Sequence, residues 1–370
     1  MDEGNVRLKF YHAAPIAIGA VIFLYLVCMK GKKEITIYDI AEQLSISAAT
    51  VSRALQNSAY VNEKTRQKVI TTAKKLGYRY NTFARNLRMK STNTIGFLVH
   101  ELNSNFITSV LAGVEKIAPQ AGYDLIIAHS SESFLKESAN ALNLFHKRVD
   151  GLIASLAFDT TSLDHFAIFN EKKIPIIFFD RVEKKSRNTA VVIDNYKAGY
   201  EATEHLIKQG CRKIVIVTAS LKRNVYADRF RGYKDALFDN NIPFDENLLI
   251  VNDLSEKAGV ESAHRMLAMD PLPDGLFNTN DFSAAVCMQV LKENGMNIPA
   301  DIAIVGFNND AISKLVEPQL TTIDYPGKYM GEVAAQSLIN MLKEKSATSK
   351  TNTIIIDSNL IIRQSSLKKG

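Results

Sequence analysis

Hydrophobic positions follow two regimes along this chain, and the change falls near residue 94. Before it, apolar residues recur at helical spacing. In "SISAATVSRAL", Val51, Ala54 and Leu55 stand at i, i+3 and i+4 and so share one face. Ser47 precedes them as an N-cap, where its hydroxyl can accept a free backbone N–H of the first turn. The opposite face carries Ala49, Ser52, Arg53 and Gln56. Upstream, Thr36 caps "IYDIAEQL", and a turn follows at Ser45–Ile46. Downstream, "NEKTRQKVITTAKKLGY" places Val69, Ala73 and Leu76 at i, i+4 and i+7 and stops at Gly77. Two short helices joined by a tight turn, with a third behind them, predict a helix-turn-helix unit. A plain three-helix bundle with solvated charges is the alternative.

From Thr94 onward the pattern becomes strand-like. Apolar runs recur as "TIGFLVH", "GYDLIIAH", "VDGLIASLA", "IPIIFFDR", "AVVIDNY", "RKIVIVTA", "GLFNTND" and "DIAIVGFN". Amphipathic stretches such as 107–120, 197–209 and 282–294 separate them. Strand and helix in alternation predict parallel sheets covered on both faces. So many units fit two doubly wound parallel-sheet subdomains better than one sheet. The fold class expected is therefore α/β, with a three-helix head in front.

Charge sharpens the division. The chain has 370 residues and a formal net charge of +6. Residues 30–90 hold 13 Lys/Arg against 4 Asp/Glu, a net +9, whereas residues 91–370 hold 30 against 33, a net −3. A basic head on a slightly acidic body points to a polyanion partner for the head. Cys28, Cys211 and Cys287 lie far apart, which argues against a disulfide framework or a zinc site and fits a reducing cytoplasm. Residues 13–29, "AAPIAIGAVIFLYLVCM", are apolar throughout, at the short end for a membrane span. They read as an anchor, as a buried or disordered extension, or as codons upstream of a true start at Met29. The last is the expectation, because "MKGKKEITIYDI" makes a natural basic N-terminus.

The second helix suits the DNA major groove, which is wide enough to admit it. Val51 and Leu55 hold it to the bundle. Ser47, Thr50 and Ser52 can bond phosphate or base edges, Arg53 can fork onto guanine, and the methyls of Ala48 and Ala49 can meet thymine methyls. Thr36, Tyr38 and Asn57 complete the expected DNA-facing set. In "NTFARNLRMKST", Asn81 can cap a helix over 82–89, too short to be stable alone. There Arg85 and Arg88 are basic, and Leu87 can enter a minor groove and kink the duplex.

With these residues in view, "TIYDIAEQLSISAATVSRAL", "TRQKVITTAKKLGY" and "ARNLR…TNTIGFLV" resemble the lactose-repressor (LacI/GalR) family of bacterial transcription regulators. The resemblance continues through "FFDRV", "DNYKAGYEATEHLI", "DRFRGYKDAL", "NTND", "IAIVGFNND" and "PQLTTIDYP…MGEVAA", from Ile35 to about Arg363. One departure is Tyr80, where the family usually has proline. The resemblance implies a periplasmic-binding-protein-like body whose subdomains sandwich a small ligand at the carboxyl ends of their strands. The division expected is 30–80 for the head and 81–93 for the hinge. The first subdomain then takes about 94–192 and 326–352, and the second about 193–325 and 353–370.

Carried over by motif, the effector-binding positions are Asp180 in "FFDR", Arg229 in "RFRGY", Asn280 in "NTND" and Asn308 in "GFNND". Phe106, after the first strand, can stack on a sugar or base ring. The blander readings are that Asp180 pairs with Arg181 at the surface and that Arg229 neighbours an acidic helix face. Asn308 stands where many sugar-responsive relatives have aspartate, so a sugar, a sugar phosphate and a nucleoside all stay open as ligands. The seven histidines are dispersed, with no metal-spaced pair and no nucleophile elbow. The expectation is a cytoplasmic homodimer without cofactor or metal and without enzymatic activity. It would be a ligand-responsive regulator, a repressor by preference, on a near-palindromic double-stranded operator. The rival is a membrane-anchored or exported binding protein, which leaves the capped helix of the basic head unused.

Overall fold

The computed structural model describes residues 34–78, 91–183, 186–344 and 352–368. The expectations placed on residues 13–29 and Cys28, and on Arg85, Leu87 and Arg88 of the hinge, lie outside them. The chain divides between Arg88 and Met89 into two compact units, a head and a body.

The head consists of helices Ile37–Leu44, Ala48–Leu55 and Glu63–Leu76. Helices this short are marginal alone, so their ends and their shared core must hold them. Asp39 reaches back to accept from both the N–H and the hydroxyl of Thr36, at 2.7 and 2.6 Å. The hydroxyl of Ser47 accepts from the Thr50 N–H at 3.1 Å, and Asn62 accepts from the Thr65 N–H at 2.8 Å. Gly77 ends the third helix at φ +69°, a conformation that costs glycine little. Ile40, Ala41, Val51, Ala54, Val61, Val69 and Ala73 make the core. Arg66 donates to the carbonyls of Ser58 and Val61, so it ties the loop before the third helix onto that helix.

The body carries two six-stranded sheets. Its strands are β1 (Thr94–Val99), β2 (Asp124–His129), β3 (Gly151–Ala154), β4 (Ile176–Phe179), β5 (Thr189–Ile193), β6 (Ile214–Thr218), β7 (Leu249–Val251), β8 (Gly275–Asn278), β9 (Ala303–Asn308), β10 (Thr321–Asp324), β11 (Thr353–Ile356) and β12 (Leu360–Ile361). The first sheet runs β11-β5-β4-β3-β1-β2 and is wholly parallel. The second runs β12-β10-β9-β8-β6-β7, and only β12 is antiparallel. Parallel strands need both faces covered. Accordingly β1 sends Ile95, Phe97 and Val99 against helices Asn105–Ile117 and Gly327–Glu344, and Leu98 against helix Phe134–His146. In β6, Ile214 and Ile216 face Leu206 and Tyr233, while Val215 and Val217 face Met266 and Leu291.

The chain crosses between the sheets after β5, after β10 and after β11. The last crossing corrects the sequence reading, which gave residues 353–370 to the second subdomain. Thr353–Ile356 instead pairs with Ala190–Ile193 at the edge of the first sheet. A four-residue edge strand beside β5 has no helix of its own to announce which sheet it joins.

Helices Asn195–Lys208 and Asn224–Asp239 approach through Gly199 and Gly232. A methyl on Gly199 would run into the carbonyl of Arg229, and one on Gly232 into that of Tyr196. This approach fixes where Arg229 sits. A second buried fixture is Asp281, at the start of helix Asp281–Glu293. It accepts from the Thr322 hydroxyl at 2.7 Å and the Asp310 N–H at 2.8 Å. Burial pushes its carboxyl up to about 7, against those hydrogen bonds, from an ordinary value of 3.8. The stability that its protonation contributes is fully present below the unfolded value and lost as pH rises through the folded one. Asp281→Asn should therefore flatten the fall in stability between roughly pH 4 and 7, by up to a few kcal/mol relative to the parent. Urea unfolding of both chains across that range checks it, and parallel curves would exclude Asp281 as the titrating group.

Candidate functional site

In the head, Thr36, Tyr38, Ser47, Ala49, Arg53 and Asn57 are exposed, and Ala48, Thr50 and Ser52 are half-buried. Ala48 packs against the head's own core, which leaves Ala49 as the methyl turned outward. The Ser47 hydroxyl is engaged in the cap and lies 2.8 Å from that of Thr50. Arg53 follows one residue after half-buried Ser52 and precedes Ala54, which is buried, so the guanidinium stem starts at the edge of the packed face.

In the body, the carboxyl ends of both sheets bring polar residues together. Asp180 directly follows β4 at φ +57°. Its N–H donates to the Val191 carbonyl at 3.1 Å, which holds the turn on the neighbouring strand. The carboxylate accepts from the Tyr325 hydroxyl at 2.7 Å and the Ser155 hydroxyl at 3.4 Å. Arg181 turns away from it and forks onto Glu132 at 2.7 and 2.9 Å, so neither residue is the surface pair considered from the sequence. Both are buried, at 5% and 4% exposure.

Arg229 is buried as well. Its Nε donates to Asn195 Oδ1 at 2.8 Å and its Nη1 to the Thr279 carbonyl at 3.2 Å. The guanidinium lies 3.5 Å from the centre of the Phe307 ring. Among the described residues, the side-chain hydrogen-bond partners of Arg229 are an amide and a carbonyl and not an acidic helix face. Phe106 stacks on Tyr325 with centroids 4.1 Å apart, and Tyr325 meets Phe307 edge-on at 5.8 Å. The expected ring platform is thus covered by a tyrosine of the chain itself. Asn280 caps helix Asp281–Glu293 by accepting from the Ser283 N–H at 3.0 Å. Asn308 ends β9 at φ +115°.

The structure brings Asp180 and Arg229 near enough to influence one another, together with residues that no pattern in the sequence singled out. Burial weakens the hold of Arg229 on its proton, while Tyr325, Tyr226 and Asp180 strengthen it. Burial and then Asp180 push the Tyr325 hydroxyl well up. Across the gap, Asn224 donates to the Asp180 carbonyl at 3.0 Å and accepts from the Val182 N–H at 2.9 Å. Arg181 Nη2 donates to the Tyr226 hydroxyl at 3.1 Å, and Arg223 Nη2 to the Thr160 carbonyl at 2.5 Å. Of these, Tyr325 lay in the motif "TTIDYP" and Arg181 and Val182 in "FFDRV", while Thr160, Arg223, Asn224 and Tyr226 lay in none. A cavity of about 620 Å³ is lined by Phe158 of the first subdomain and by Ser220, Leu221, Lys222, Val251, Asn252 and Asp253 of the second. None of the five expected effector residues lines it.

His100, Glu101 and Glu132 bring their donor atoms within 4.8 Å of one another. Glu132 is already committed to Arg181, and burial, then Arg181, hold His100 well below its ordinary value, as a neutral ring. No helix among the described residues is long and apolar enough to cross a membrane.

A basic helix-turn-helix head ahead of two parallel-sheet subdomains with facing carboxyl edges defines a DNA-binding regulator with a ligand-sensing body. Residues 36–81 match the model for bacterial regulatory proteins of the lacI family, and residues 203–366 match that for a periplasmic binding protein-like domain. The chain is 35% identical to the HTH-type transcriptional regulator RegA of Clostridium acetobutylicum, over 89% of its own length and 98% of the relative's. It is 30% identical to catabolite control protein A of Priestia megaterium, over 85% and 95%. The lac repressor dimer bound to operator and the anti-inducer ONPF shares the fold at a TM-score of 0.81 and 24% identity, over 90% of this chain and all of that one. The transcriptional regulator CelR in complex with cellobiose aligns at 0.68 and 24%, over the same shares. The chain belongs to the lacI family of transcription regulators.

The Tyr325 hydroxyl has a defined task. Tyr325→Phe keeps the ring between Phe106 and Phe307 and leaves one buried carboxylate oxygen without its donor. The body should lose about 1–3 kcal/mol in urea unfolding. Unchanged stability would mean that the bond contributes nothing net.

Proposed function

We propose that the chain acts as a homodimeric, cytoplasmic repressor on a near-palindromic operator and responds to a small polar metabolite held between the two sheets. It acts without catalysis. The observation that carries this reading is the buried polar cluster of Asp180, Arg229, Asn195 and Tyr325 where the two sheets face each other. Burying this many polar and charged groups costs stability. Such groups are the donors and acceptors that fix a hydroxylated or heterocyclic ligand.

The second head helix reads the major groove. Ser47, Ala49, Thr50, Ser52 and Arg53 face the bases and phosphates, and Ala48 is half given over to packing. Thr36, Tyr38 and Asn57 face phosphates at its flanks. In the body, a ligand reaching Asp180 competes with Tyr325, and one reaching Arg229 must share it with Asn195. Binding therefore changes the contacts that join the subdomains. A ligand with different affinities for two subdomain angles shifts the population between them, and DNA affinity shifts with it. A sugar or related small metabolite offers hydroxyls that the carboxylate and guanidinium of this cluster can bond.

Arg53→Ala should abolish site-specific binding and spare weak, salt-sensitive binding to random DNA. One bidentate base contact contributes about 1–3 kcal/mol of discrimination per half-site. Titration of specific and random duplexes checks it, and equal losses on both would remove Arg53 from base recognition.

Arg229→Ala should raise the effector concentration needed for a response by roughly 10- to 150-fold, the cost of one buried charged hydrogen bond. Operator binding without effector should persist at temperatures below the variant's lowered melting point. Thermal-shift screening of sugars, sugar phosphates and nucleosides identifies the probe, and fluorescence anisotropy on operator DNA reads the response. A variant that answers at the parent's concentration would place Arg229 outside the site.

A further inference from the structure

The body opens with three polar residues, Ser91, Thr92 and Asn93, between the basic segment of residues 81–90 and β1. One side chain grips all three. The carboxylate of Asp150, just ahead of β3, accepts from the Ser91 hydroxyl at 2.5 Å and the Thr92 N–H at 2.9 Å. It also accepts from the Asn93 N–H at 2.8 Å and lies 3.2 Å from the Thr92 hydroxyl. That hydroxyl is 2.7 Å from the Arg148 carbonyl too. On the other side, the Asn93 carbonyl accepts from the Asp124 N–H at the start of β2, at 2.8 Å. The strap is thus wedged between the starts of the two strands that flank β1.

The strands that flank the strap are also joined directly. β1 pairs with β2 and β3 through the main chain, and the Asp150 N–H itself donates to the Thr94 carbonyl at 2.7 Å. Ser91, Thr92 and Asn93 bury no apolar side chain and are only half-buried. A carboxylate has about four lone-pair sites, and three donors, the Ser91 hydroxyl and the N–H groups of Thr92 and Asn93, take most of them, while the Thr92 hydroxyl gives its one proton to the nearer Arg148 carbonyl. A clamp this complete on a segment with no core to serve has its use at the segment's far end, where the chain runs on to the hinge residues and the head.

We propose that Asp150 is a positioning residue for operator binding. It fixes the point at which the tether to each DNA-binding head leaves the body, so that the bodies of a dimer set the distance between the two heads. Released, Ser91 to Asn93 would add up to roughly 10 Å of slack per protomer, at about 3.3–3.6 Å for each extended residue. That is about three base pairs of B-DNA, at roughly 3.4 Å each. A clamped dimer distinguishes half-sites one base pair out of place, and a slack one does not. The proposal rests on the dimeric reading above.

The test uses full-length chains and an operator selected with the parent from a random palindromic duplex pool. Derivatives carry one, two or three base pairs inserted at the centre, beside a duplex with a single half-site. Asp150→Asn keeps the size and replaces half of the acceptor capacity with donors. Ser91→Ala removes one donor and leaves the sheet untouched. Asp150→Asn should bind the selected operator about tenfold more weakly, as expected for losing one or two charge-assisted bonds. It should also bind the spacing series nearly evenly, and Ser91→Ala should move the same way by less. Half-site binding and dimerisation by ultracentrifugation should match the parent at a temperature where both bodies are folded, although the variant's body melts lower for want of the lost bonds. A variant that keeps the parent's spacing preference overturns the proposal. So does one whose half-site binding falls in step with its operator binding, since Asp150 would then be structural. A parent that binds the half-site duplex as tightly as the palindrome overturns the dimeric reading and this proposal together.

Discussion

The hydrogen bond from Tyr325 to Asp180 ties together the parts of the body that the chain's crossings separate. Tyr325 lies on the second crossing, between β10 and helix Gly327–Glu344. Its ring stacks on Phe106 of the first subdomain and meets Phe307 of the second edge-on, while its hydroxyl is spent on the carboxylate that ends β4. One side chain thereby joins an apolar continuity to a polar one. The apolar core runs unbroken from Ile95 and Phe97 through Tyr325 to Phe307 and Ile214. Around it, Asp180 accepts from the Tyr325 and Ser155 hydroxyls, and Arg229 donates to Asn195 and to the Thr279 carbonyl. A buried charge is tolerable only when bonded in this way. Any ligand that enters must replace those bonds with its own.

The head answers a different constraint. Its helices span 8, 8 and 14 residues, and the first two would not persist as isolated peptides. Caps at Thr36, Ser47 and Asn62 and a core of seven small or β-branched side chains fix them. Small core residues keep the helices close, and the second helix therefore shows a narrow outward strip of hydroxyls, Ala49 and Arg53. That strip is what the second helix leaves exposed, because packing has used its other side.

Charge follows the same division. The excess of Lys and Arg collects in residues 30–90, while the body's charges largely cancel within it, as in Arg181 with Glu132 and Lys116 with Glu332. The head is attracted to a polyanion over distance, and the body is left to discriminate a small ligand at short range.

Period alone determined much of this. The 3.6-residue spacing in the head and the apolar runs of β1 to β6, β8 and β9 were legible because each run is long enough to declare its period. The caps at Thr36 and Ser47 and the stop at Gly77 were legible because they act within one turn. Strands β7 and β12, at three and two residues, were too short to declare a period, and β10 and β11, with threonines in or at the start of the strand, were not among the apolar runs. Motif resemblance pointed to Asp180 and Arg229, and the fold brings these two to the facing sheet ends. Only tertiary structure decided that Tyr325 covers Phe106, that Arg181 turns to Glu132, and that Thr353–Ile356 joins the first sheet. Those outcomes depend on partners more than 40 residues away in sequence, and local spacing carries no record of which distant group arrives.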